Sequence, residues 1–145
     1  MSEKLIQSVN KQVANWTVMY VKLHNYHWYV KGSNFFVLHE KFEELYNEAN
    51  DHIDELAERI LALGGNPVAT MKDCLDTASI EEATGKEDAR DMVQSVWSDF
   101  DKMLDELQEG IELADEAKDE ATGDMLIAVK QSVKKHNWML KAFLG

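Results

Sequence analysis

Proline occurs once, cysteine once and glycine seven times in the 145 residues of the chain. So few turn-formers exclude an all-β chain made of many tight turns. The lone Cys74 excludes an internal disulfide and fits a reducing compartment. No apolar run approaches the ~20 residues of a bilayer span. The opening Met1-Ser2-Glu3-Lys4-Leu5-Ile6-Gln7 has no long apolar stretch of the kind a secretory signal needs. Positive charge is scarce as well: 15 Lys and Arg against 27 Asp and Glu leave a formal net charge of −12. Such a surface repels phosphate backbones and anionic lipid and attracts cations. A Gly-rich phosphate loop, a paired-cysteine motif and a serine nucleophile elbow are all absent. The expectation is a cytoplasmic protein that makes no use of membranes.

What is present is helical periodicity. With 45% hydrophobic residues the chain can fill a core. From Leu5 to Tyr29, apolar residues recur at Leu5, Val9, Val13, Trp16, Tyr20 and Leu23, followed by His27. Gly32-Ser33-Asn34 breaks the pattern. A second run takes in Phe35, Leu38, Phe42, Leu45, Ala49, Ile53, Leu56, Ile60 and Leu63, and Gly64-Gly65-Asn66-Pro67 ends it. A third uses Val93, Trp97, Phe100, Leu104, Leu107 and Ile111, with Thr84-Gly85-Lys86-Glu87 spaced as a capping box at its start. A fourth covers Leu126, Val129, Val133, Leu140 and Phe143, after a break near Thr122-Gly123. Short links predict two antiparallel hairpins, and the long connection from Gly64 to Thr84 predicts a crossover with a helical turn near Ser79-Ile80-Glu81-Glu82. The expected fold is an all-α, ferritin-like four-helix bundle in a single domain over residues 1–145.

The second run carries a strip of metal-binding residue types. With Phe42 at zero on a helical wheel, His39, Glu43, Asp54 and Glu58 fall near 60°, 100°, 120° and 160°, well off the apolar face. His39/Glu43 and Asp54/Glu58 are i,i+4 pairs, so both members of either pair can approach one ion. Imidazole with carboxylates suits iron, with manganese or zinc as competitors. A solvated acidic face is the alternative. Within one helix Glu43 and Asp54 lie about 16 Å apart along the axis and cannot share an ion. A second, antiparallel copy removes the difficulty, because positions 39 and 58 have the same sum as 43 and 54. Self-pairing would set His39 and Glu43 of one chain opposite Glu58 and Asp54 of the other, giving two sites per dimer. Tyr46, Asn50, Ala57 and Leu61 share the strip and can form a partly apolar interface between the sites.

His27 lies level with His39 across a hairpin centred on Ser33, which admits it as either a ligand or a hydrogen-bonded core residue. His24 reads as structural or as a support behind the ligands, and His52 and His136 receive no role. The usual internal di-iron bundle uses Glu-x-x-His; that motif does not occur here, which moves attention from the bundle interior to an interface.

The stretch from Leu23 to Ile60, LHNYHWYVKGSNFFVLHEKFEELYNEANDHIDELAERI, resembles the signature of the Dps family of mini-ferritins. The likeness extends over nearly the whole chain, through the crossover to Trp138-Met139-Leu140-Lys141-Ala142-Phe143-Leu144-Gly145. The resemblance implies a hollow shell of twelve subunits that oxidises Fe(II), generally with hydrogen peroxide in preference to oxygen, and stores the ferric product inside. It implies metal ligands at His27, His39, Asp54 and Glu58 across a two-fold interface. Glu43 stands where many relatives have Asp. Trp28 resembles the family's tryptophan near the site, a sink for oxidising equivalents, and reads equally as an interface aromatic. Asp115, Glu120 and Asp124 resemble residues of the three-fold iron-entry pore, the alternative being a solvated turn. Members that bind DNA often use a Lys/Arg-rich tail. Here the N-terminal segment offers only Lys4 and Lys11, so DNA binding is not expected. The rival reading is a non-enzymatic helical adaptor whose acidic strip meets a partner protein.

Overall fold

The structure is a computed structural model and describes residues 2–145. Five helices follow in chain order: α1 (Glu3–Tyr29), α2 (Phe35–Ala62), α3 (Met71–Thr77), α4 (Ala89–Glu116) and α5 (Glu120–Leu144). No strand occurs among the described residues. Four long helices form the bundle, with α1 against α2 and α4 against α5, and the crossover carries the short α3. This is the ferritin-like arrangement.

The core takes in most of the residues that the periodicity marks, together with unmarked ones such as Tyr26, Met19 and Met103. Trp16, Leu23, Tyr26, Phe42, Ile60, Phe100, Leu107 and Leu126 are essentially inaccessible. Each fully buried side chain of this size contributes about 1.5–3 kcal/mol. Gly110 lets three helices meet closely: a Cβ there would stand 2.9 Å from Ser8 Oγ and 3.0 Å from Leu126 Cδ1.

Three boundaries differ from the sequence expectation. The crossover helix is Met71–Thr77, capped by the Thr70 side chain, and not Ser79–Glu82. Ser79 is drawn away from helix formation because its hydroxyl donates to Glu106 (2.8 Å) while its amide donates to Asn15 Oδ1 (2.8 Å). The Thr84 spacing is not the cap of α4. Glu87 instead accepts from the Thr84 and Gly85 amides and from the Tyr26 hydroxyl. The capping box belongs to Asp88 and Asp91. Thr122 and Gly123 lie inside α5, and the chain turns at Ala117–Asp119, where Lys118 takes a positive φ of 57°. Asp119 caps α5 and is held by Arg59 of α2 at 3.1 Å. Thr122 first, with Arg59, keeps the Asp119 carboxyl below its ordinary range.

A candidate metal centre on the outer flank of α2

The α1–α2 hairpin places His27 and His39 side by side. The rings stack 3.7 Å apart at 12°. His27 Nδ1 lies 2.6 Å from the His39 carbonyl, and His39 Nδ1 lies 2.7 Å from the His27 carbonyl. A carbonyl only accepts, so both Nδ1 atoms carry the proton and both Nε2 lone pairs are left free. Donation of one ring N–H to a backbone carbonyl is a common way of orienting an imidazole toward a metal. His27 is 6% exposed, and His39 is half-buried with Phe35 stacked on it at 4.9 Å.

Glu43 joins them, with Oε1 3.8 Å from His27 Nε2. Asp54 and Glu58 lie about three to five turns further along the same helix and are exposed. Hydrogen bonding to Asp54, reinforced by its charge, raises the Glu58 carboxyl above its ordinary value. Two acids held this close repel one another when ionised, and a cation between them would relieve that repulsion. The hairpin thus unites His27, His39 and Glu43, while Asp54 and Glu58 remain apart from those three. Among the described residues no three His, Cys, Asp or Glu side chains are placed to hold a metal ion. Within one chain these residue types therefore form two separate groups on α2 and its hairpin.

Aromatic groups border the histidines. Trp28 is 67% exposed and stands 5.2 Å from His24, which stacks on Tyr46 at 3.7 Å. His24 Nδ1 donates to the Tyr20 carbonyl (2.7 Å), in keeping with a structural role. Partial burial and the Glu43 carboxylate raise the Tyr46 hydroxyl above its ordinary value. Asp115, Glu120 and Asp124 are exposed around the α4–α5 turn.

His52 and His136, given no role from the sequence, meet around Glu48 on the opposite flank of α2, at 3.5 Å and 3.2 Å. The available signal was the i,i+4 spacing of Glu48 and His52. The partner His136 lies on another helix and carries no spacing cue.

The fold defines the class, a ferritin-like bundle, here with metal-binding residue types on an outer helix face. Comparison agrees: the Ferritin-like domain family matches residues 6–145. The chain is 69% identical to General stress protein 20U of Bacillus subtilis, over all of both chains. It is 55% identical to DNA protection during starvation protein 2 of Bacillus anthracis, over 100% of this chain and 99% of that one. The crystal structure of Dps from Staphylococcus aureus superposes with a TM-score of 0.98 at 52% identity, covering 99% of this chain and 97% of that one. The chain belongs to the Dps family of mini-ferritins.

Proposed function

We propose that the protein is a ferroxidase that oxidises Fe(II), with hydrogen peroxide preferred to oxygen, and stores the ferric product inside a twelve-chain shell. The observation that carries this reading is the reciprocal His27–His39 clasp. It leaves two imidazole nitrogens free beside Glu43, while Asp54 and Glu58 await a cation elsewhere on α2. An antiparallel neighbour supplies the missing carboxylates, so His27, His39 and Glu43 of one chain and Asp54 and Glu58 of the other bind the ferrous substrate. Iron is favoured by the mixed imidazole–carboxylate set, with manganese and zinc as competitors.

The reaction balances simply. Each of two ferrous ions gives one electron, the O–O bond of peroxide breaks, and both oxygens leave reduced. Two Fe(II), one peroxide and two waters yield two FeO(OH) and four protons, and no hydroxyl radical is released. The chain contributes fixed neutral imidazoles and ionised acids that bind ferrous iron and favour the charge gained on oxidation. Trp28, exposed on the ligand side of the hairpin, supplies an electron when an oxidising equivalent escapes. Asp115, Glu120 and Asp124 form the acidic entry for iron, drawn in by the net charge of −12 per chain.

The setting is the cytoplasm, and the role is protection against iron and peroxide. The scarcity of cations argues against DNA binding at physiological salt. No described helix is long and apolar enough to cross a membrane.

The test combines solution mass with anaerobic Fe(II) oxidation. A particle near twelve times 16.6 kDa that consumes about one peroxide per two Fe(II) supports the proposal. A monomer or simple dimer inert to both reagents supports the adaptor reading.

A further inference from the structure

The flank of α2 turned away from the ligands carries titratable groups that iron chemistry does not use. Lys41, Glu48 and His52 fall near −100°, −120° and −80° on the same wheel. Lys41 and Glu48 reach His136 on α5. Lys41 Nζ stands 3.1 Å from His136 Nδ1. An ammonium only donates, so Nδ1 accepts and the ring proton sits on Nε2, 3.2 Å from Glu48 Oε2 and 3.3 Å from Oε1. Ser132 donates to Glu48 Oε1 at 2.6 Å, and His52 Nε2 lies 3.5 Å from Oε2. From α1 the uncharged Trp16 ring packs on His52 at 4.6 Å. Among the described residues α4 makes no hydrogen bond or ion pair with His136. Burial alone would raise the Glu48 carboxyl. Hydrogen bonds from His136, His52 and Ser132 outweigh burial and hold it well below the carboxylate range, so it stays ionised.

A cation is not the occupant this arrangement selects. The Lys41 ammonium already occupies one end of it, and among the described residues no three His, Cys, Asp or Glu side chains are placed to hold a metal ion.

We propose that His136 and Lys41 form a proton-operated latch between α5 and the N-terminal half of α2. With His136 neutral, the ring ties Lys41 to Glu48 through both nitrogens. A second proton on Nδ1 removes the acceptor and sets two cations face to face. Lys41 then turns to Glu44, whose Oε2 is already 3.3 Å away, while His136 keeps Glu48 as an ion pair. Protonation of this imidazole is therefore what opens the latch. Lys41 lies between His39 and Glu43 in sequence, and its release loosens the segment that carries them. The protons of the proposed mineralisation are one natural trigger. Only that trigger rests on the iron reading, because the latch operates without metal.

The test uses iron-free, full-length protein and reads the titration of His136 alone, from exchange of its ring C2 hydrogen in deuterated buffers followed by peptide mass spectrometry. Lys41→Met removes the competing cation, and the His136 midpoint rises by about one pH unit, a tenfold gain in proton affinity. Lys41→Gln, which keeps a donor but no charge, gives a smaller rise. The midpoint of His24, distant in the hairpin, serves as the internal control and stays fixed. An unchanged His136 midpoint in both Lys41 variants overturns the latch. Absence of ferroxidation in the same protein would defeat the proposed function and leave this result standing.

Discussion

The two flanks of α2 present the same sequence pattern in opposite physical states. His39/Glu43 on one flank and Glu48/His52 on the other are both histidine–carboxylate pairs at i,i+4. Around Glu48, α5 supplies Ser132 and His136, and Oε1 finds both its hydrogen-bond partners within the chain. Around His39 only the neighbouring α1 contributes, and Glu43 remains exposed. Spacing identifies a pair that can bind. What covers the flank decides whether it is a closed internal contact or an open valence.

The sharpest way to break the comparison is to mix variants. His39→Ala and Asp54→Ala should each lower peroxide-driven Fe(II) oxidation by at least about 100-fold, since even groups behind the ligands are worth 10–100-fold. Chains co-assembled from the two should recover about a quarter of the wild-type sites, because half the pairs are mixed and each mixed pair keeps one intact site. No recovery on co-refolding would show that the exposed flank does not work across two chains. The buried flank answers differently. Glu48→Ala removes the centre of an internal polar cluster and should destabilise the chain by about 3 kcal/mol in urea unfolding, read at iron-free equilibrium.

Acid sharpens the contrast further. The folded-state carboxyl of Glu48 is depressed, so the unfolded chain binds its proton more readily. Its contribution is complete above the ordinary glutamate value near 4.3 and fades as pH falls toward the lower folded value. Melting temperature should therefore drop below about pH 4.3 in the wild type and less steeply in Glu48→Gln. Glu58 has the reverse sign: its raised carboxyl makes the Asp54–Glu58 pair a liability once pH climbs above the ordinary value. The smallest expected effect follows from that. Asp54→Asn should raise the melting temperature of metal-free protein slightly near neutrality and abolish the further gain from added Fe(II).

The bundle was legible because burial follows the 3.6-residue period, and every residue named for the first two runs except Tyr20, Phe35, Ile53 and Leu63 is fully buried or, like His27, nearly so. The level of His27 with His39 was legible too, since a short hairpin fixes register. The crossover was not. Its Ser79 and Glu87 are committed to distant partners, Asn15 with Glu106 and Tyr26 respectively, and local capping patterns cannot register such contacts. The turn before α5 was missed because Lys118, a residue with no turn preference, adopts the left-handed conformation there. The Glu48 cluster was missed because its completion needs His136, 88 positions away.

The mutual histidine clasp also has a genetic consequence. Each ring is aimed by the backbone of the other's residue, and each packs against the other's face. Replacing either histidine by alanine leaves its carbonyl in place, so the remaining ring keeps the hydrogen bond that aims it and loses only the stacked face. The double variant should therefore be clearly worse than either single one, and selection can act on the two positions separately.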